Sequence, residues 1–237
     1  MNAPTTTPTL QPGEVAQTFM THRMSDAAIL ALNTGREDER RRIHDALVRS
    51  LAASPGALQH LVILGPRGFG KSFTARVAQI QAAALASAQA PIPFVLLPEE
   101  QINLTRSPQA LPDYIAHRLS DLRLGQDTTW TSAMFQWPDD AARDRQWREA
   151  CARLEIELDH SLPSGRGLAV VVIENFDQLL ANVFRNAIDE QRLRAWLDRE
   201  GNRLMLIATA TGAVDFDYER PLFQALQSVR LKPWEPE

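Results

Sequence analysis

The sequence predicts an α/β sandwich of three layers on a mostly parallel sheet, and three observations predict it. Leu168–Ile173 and Leu204–Thr209 are near-continuous apolar runs, the pattern of strands buried on both faces. These runs alternate with longer segments of helical period. Between one apolar run and one helical segment stands Gly65-Pro66-Arg67-Gly68-Phe69-Gly70-Lys71-Ser72, which fits the phosphate-binding pattern G-x-x-x-x-G-K-[ST] in full.

Taken in order, residues 1–22 are rich in Thr and Pro and read as a flexible tail. A helix follows Gly35, with Ile43, Leu47 and Leu51 at helical spacing, and Ser54-Pro55-Gly56 ends it. Leu61–Leu64 is a short buried strand before the loop. The segment from Phe73 through Ala86 is a helix of good helix formers. Pro93–Leu97 is a second strand, and Leu111–Leu122 a helix. Residues 123–139 carry turn signals and exposed-looking tryptophans and read as an irregular insertion. Asp140–Leu158 is an amphipathic helix whose stripe is Trp147, Ala150, Cys151, Leu154 and Leu158. Glu190–Arg199 is helical with Leu193, Trp196 and Leu197 inward, and Ser228–Leu231 is a last short strand.

Composition narrows the function classes. The 237 residues with 44% hydrophobic content suffice for one sizeable core, and the net charge of −4 provides no field for nucleic acid. Arg40-Arg41-Arg42 is preceded by Glu37-Asp38-Glu39 and reads as a solvated helix face rather than a basic patch. Cys151 is the single cysteine, so no disulfide forms within the chain, and on its apolar stripe it reads as a small core residue. No apolar run reaches the roughly 18 residues that cross a bilayer, and Met1–Pro8 lacks the charged and apolar regions of a signal peptide. These features fit a cytoplasmic protein without membrane association.

In the loop each residue type has a physical role. Gly65, Gly68 and Gly70 permit backbone conformations and close approaches that a Cβ blocks. Lys71 is a flexible point charge for the β- and γ-phosphates, and Ser72 offers a hydroxyl to Mg²⁺. Pro66, Arg67, Phe69 and Phe73 complete the cradle and the start of its helix. Lys71 and Lys232 are the only lysines among 25 basic residues, so a lysine here is conspicuous in a chain that otherwise uses arginine. Such a site needs a carboxylate at the end of a neighbouring strand to hold the metal. Leu168–Ile173 followed by Glu174-Asn175-Phe176-Asp177 supplies it, with Glu174 at the strand's carboxyl end.

Gly65–Ser72, Val170–Asp177 and Leu204–Thr211 together resemble the AAA+/STAND group of P-loop NTPases, nearest to the origin-recognition-like branch of bacterial ATPases. Thr34-Gly35-Arg36-Glu37 is similar to the GRE element that lies near the adenine in that branch. The resemblance covers about residues 33–231; its phosphate loop is highly specific, its Walker B strand moderately so. It implies a five-stranded sheet of order 5-1-4-3-2, with the strand through Thr209 between those ending at the loop and at Glu174. It also implies ATP, Mg²⁺ and assembly with itself or a partner protein through the nucleotide site. Lys71 and Ser72 take the phosphate and metal positions, Glu174 that of the usual metal-side Asp, and Thr209 or Thr211 that of the polar sensor. Arg220 is a candidate trans-acting arginine, with a surface arginine as the plainer alternative.

The chain departs from the pattern at two places. The family commonly has Asp-Glu where this chain has Glu174-Asn175, and an Asn cannot accept a proton, though its carbonyl can orient water. Loss of a base costs about 10²–10⁴ in rate, so slow or partner-dependent hydrolysis is expected. Asp177, Glu99, Glu100 or Glu174 itself could compensate. The family also continues into a helical lid, and residues 232–237 read as the start of a linker to it, so a piece of a longer protein is expected. Two main readings stand: an ATP-driven switch, or a non-hydrolysing ATP-binding scaffold within a nucleic-acid-associated or defence-type protein. The acidic charge argues against direct nucleic-acid contact by this segment. No acceptor-site signature favours a small-molecule kinase, and no guanine-reading N-K-x-D is present, so ATP is the expected nucleotide.

Overall fold

The computed structural model describes residues 24–32, 35–53, 58–87, 89–131, 140–162, 166–211 and 221–233. Five strands form one sheet: β1 (His60–Leu64), β2 (Phe94–Leu97), β3 (Ala169–Ile173), β4 (Leu204–Ala210) and β5 (Leu226–Arg230). Their order is β2-β3-β4-β1-β5, and every pairing is parallel. This is the order that the resemblance implies, read from the other edge, with β4 between β1 and β3.

Strand side chains alternate between two apolar layers, as the pleat requires. Leu61, Ile63, Val170, Val172, Met205 and Ile207 pack on one face. That face meets α2 (Glu37–Ala52) and α3 (Lys71–Leu85) through Ile43, Leu47, Ala75 and Ala78, and α1 (Asp26–Leu32) packs on α3 through Ile29 and Val77. Val62, Leu64, Val171, Ile173, Leu206 and Ala208 pack on the other. There they meet α5 (Ala110–Leu124), α6 (Asp140–Ser161), α7 (Phe176–Asn182) and α8 (Ala187–Leu197). Two one-turn helices, α4 (Glu99–Ile102) and α9 (Pro221–Gln224), lie in the connections.

The stripe of α6 is buried as its spacing predicts, Trp147, Ala150, Cys151, Leu154 and Leu158 included. Trp130 differs from expectation. It is buried, standing edge-on to Tyr114 with ring centroids 5.2 Å apart, so that tryptophan is core rather than surface. Arg41 pairs with Asp38 at i,i+3 on an exposed face, in keeping with a solvated run. The expected tail (1–22), most of the end of the chain (234–237) and Arg220 lie outside the described residues. Among the described residues no helix is long and apolar enough to cross a membrane.

The register positions the site. Ile63 and Leu64 lie opposite Thr209 and Ala210, and Ile173 lies opposite Ala208. β3 therefore ends level with Val62, two residues before the ends of β1 and β4, and all three strands run out at the same edge of the sheet. Gly65, Thr209–Thr211 and Glu174 stand side by side along one edge, where ligands of open α/β sheets bind.

Candidate nucleotide site

The loop leaves β1 at Gly65, whose N–H donates to Ala210 O at 3.3 Å. Gly68 and Gly70 have φ of +86° and +80°, left-handed conformations that a side chain disfavours. Gly70 is also the N-cap of α3 and brings no side chain to cap it, so the first N–H groups of the helix are left for a ligand. Ser72 is exposed in that first turn.

Lys71 is held in the loop. Its Nζ donates to Gly65 O at 2.7 Å and to Pro66 O at 3.0 Å. Burial lowers its pKa, the Asp177 carboxylate raises it, the Arg67 guanidinium lowers it further and Glu99 raises it. The loop is also braced from outside. Arg36, buried at the foot of α2, donates from Nη2 to Phe69 O at 3.1 Å and faces Glu39 at 3.6 Å. That brace is the structural content of the element resembling GRE, and nothing in residue spacing alone announces it.

Glu174 follows β3, with its N–H donating to Leu97 O at 3.0 Å. Its side chain and Ser72 line one cleft of about 650 Å³, along with Arg76, Gln101, Tyr114 and Arg118. A hydroxyl at the loop helix and a carboxylate across one cleft fit a magnesium ion held mainly by phosphates and water. A group of three or more metal-ligating side chains is absent among the described residues, and such a site does not need one.

Asn175 adopts φ 46° and ψ 50°, the only left-handed non-glycine among the described residues. Asn tolerates that region better than Glu does. Its N–H donates to Thr209 Oγ1 at 3.2 Å, and its carbonyl accepts from Gln178 and Leu179 to start α7. Thr209 is buried and committed to this turn. Thr211, two residues on, is half-buried and donates from both N and Oγ1 to Asp177 Oδ2. The structure thus brings Lys71, Ser72, Glu174, Asn175, Thr209, Thr211 and Asp177 to one end of the sheet. Glu99 and Glu100 sit in α4 beyond the edge strand β2, with Glu99 the more buried.

No family model matches the chain, and no curated protein matches it. Solved structures do. The Orc2 protein of Aeropyrum pernix, in its ADPNP-ADP complexes, is similar with a TM-score of 0.57 at 16% identity, over 84% of this chain and 48% of that one. The Orc1 protein of the same organism, in complex with DNA, gives 0.55 at 17% identity, over 85% and 46%. The Walker-type ATPase PABY2304 of Pyrococcus abyssi gives 0.51 at 19% identity, over 84% and 54%. The chain therefore shares the α/β fold of these solved structures, and it spans about half the length of these neighbours.

Proposed function

We propose that residues 23–231 form an ATPase core that binds Mg-ATP and acts as a nucleotide-driven switch, with slow or partner-dependent hydrolysis. The observation that carries this reading is the placement of the Gly65–Ser72 loop. It sits at a β1–α3 turn with Lys71 drawn into it, and Ser72 shares a cleft with Glu174. The loop N–H groups and Lys71 would hold the phosphates, and Ser72 and Glu174 the metal side. Bound Mg²⁺ would neutralise charge developing on the β- and γ-phosphates. Arg36 would keep the loop's Phe69 carbonyl in place beside the nucleotide. Thr209 and Thr211 both stand at the sensor end of β4, Thr209 bonded to the Asn175 N–H and Thr211 to Asp177. Movement of the β3–α7 and post-β4 segments on hydrolysis would alter self-association or a partner contact.

A second reading, a scaffold that binds ATP without turnover, is favoured by Asn175 standing where a base is usual. Labelled ATP binding with and without Mg²⁺, followed by phosphate release, separates the two. Lys71→Ala is the control, expected to lose about 10-fold or more in affinity. Absence of Mg-ATP binding by the wild-type chain would refute both readings. Asn175→Glu should raise turnover; because Glu suits φ 46° less well than Asn, a lower rate counts against the missing-base argument when Tm is unchanged. The Aeropyrum Orc1 neighbour was solved with DNA. For this chain the net charge of −4 argues against a like contact.

A further inference from the structure

Resting on the nucleotide-site reading, we infer that Asp177 is the carboxylate that orders and deprotonates the attacking water, with Thr211 as its positioning residue. The chain's base would then lie two residues past Asn175.

Asp177 Oδ1 is buried and has no hydrogen-bond partner among the described residues. A buried carboxylate oxygen without a donor is costly unless it serves something. Its companion Oδ2 is fully engaged, accepting from the Thr211 N–H at 3.3 Å and from the Thr211 hydroxyl. Two donors on one oxygen fix the carboxylate and leave the other, shielded from solvent, without a donor. That is how a third group orients a catalytic base elsewhere.

Placement brings the carboxylate to the nucleotide end of the sheet. Asp177 is in the first turn of α7, immediately beyond β3. Its partner Thr211 follows Ala210, whose carbonyl takes the Gly65 N–H at the start of the phosphate loop. The carboxylate is therefore anchored across the ends of β3 and β4, next to β1. It is also the carboxylate with the largest influence on the Lys71 ammonium. Glu99, the other acid acting on Lys71, stands beyond edge strand β2, and Glu174 is needed on the metal side.

In the step, the water oxygen bonds to the γ-phosphorus while the bond from γ-phosphorus to the β–γ bridging oxygen breaks. That electron pair leaves on ADP. The water proton passes to Asp177 Oδ1 and from there to the released phosphate.

The test uses Asp177→Asn in the full chain. Asn can keep its carbonyl on Thr211 and present an amide where Oδ1 stood. Expected is a fall of about 100-fold or more in phosphate release at saturating ATP, with ATP affinity held within about threefold. Affinity for ADP–aluminium fluoride should fall about 10-fold or more while that for ADP does not. Thr211→Val should lose about 10-fold in rate, and Thr211→Ser should recover most of it. These Thr211 variants decide the matter if Asp177→Asn melts early. Wild-type turnover in Asp177→Asn, or loss of rate with Glu99→Gln instead, overturns the inference. So does a wild-type chain that binds Mg-ATP and releases no phosphate, a result that leaves the binding reading standing. A chain that binds no ATP removes both.

Discussion

Thr209→Val separates a structural threonine from a sensing one. Thr209 is 1% exposed, and its hydroxyl accepts the Asn175 N–H at 3.2 Å. Valine matches its shape and removes that acceptor. The Asn175 N–H is then stranded at the base of α7 in a residue already at φ 46°. An unsatisfied buried donor costs about 1–3 kcal/mol. Taking about 2 kcal/mol, and about 2–4 °C per kcal/mol for a chain of this size, Tm should fall by about 4–8 °C. Phosphate release should drop through disorder of the β3–α7 turn, and low temperature should recover much of it. The assay is a thermal melt beside turnover at two temperatures. An unchanged Tm with turnover lost at both would refute the reasoning, and would make Thr209 the γ-phosphate sensor.

Gly70→Ala forces a Cβ into φ +80° at the N-cap of α3. That strain is about 1–2 kcal/mol, so a lower Tm and weaker binding of labelled ATP are expected in the same variant. His60 is buried, accepts the Leu206 N–H on Nδ1 and donates from Nε2 to Leu197 O, and burial lowers its pKa below 6.5. The unfolded chain gains a proton near 6.5 that the native state resists, so stability is full above that pH and declines as pH falls through it. His60→Gln should flatten the Tm–pH curve between about pH 7.5 and 5.5; an unchanged slope would assign it to other groups. Burial pushes the Cys151 thiol up to about 12. At about pH 8 the native chain should react with a thiol reagent far more slowly than the chain in denaturant.

The sheet was legible because its strands are apolar on both faces. Val170, Val171 and Val172 cannot all be inside unless both layers are covered, and that alone demands helices on each side. Trp130 reads as exposed from its local sequence because no local pattern reveals a partner such as Tyr114, which lies on α5. The one-turn helices were not legible either. A segment of four residues such as Glu99–Ile102 has too little period to show.

The site divides along the same line. Gly65–Ser72 and Glu174 are legible because a glycine-rich loop and a strand-end acid are contiguous signals. Asn175 was legible only as a departure from a resemblance, and the structure supplies its physical reason. The chain must turn from β3 into α7 through a left-handed residue, and Asn accepts that conformation. Under the proposed reading, with that position spent on the turn, the working carboxylate comes from another residue that reaches the same strand ends. Asp177 reaches them because a helix in its first turn projects residue i+2 over the end of β4, where Thr211 holds it. A strand pattern cannot show this, since the geometry depends on where α7 begins. Asn175 still carries some strain at φ 46°. Relieving that strain is itself a test. Asn175→Gly should keep the turn, Thr209's partner and phosphate release within about threefold of wild type, because glycine bears φ 46° without cost. A loss of about 100-fold would mean that the Asn175 side chain itself orders the water, and Asp177 would then be structural.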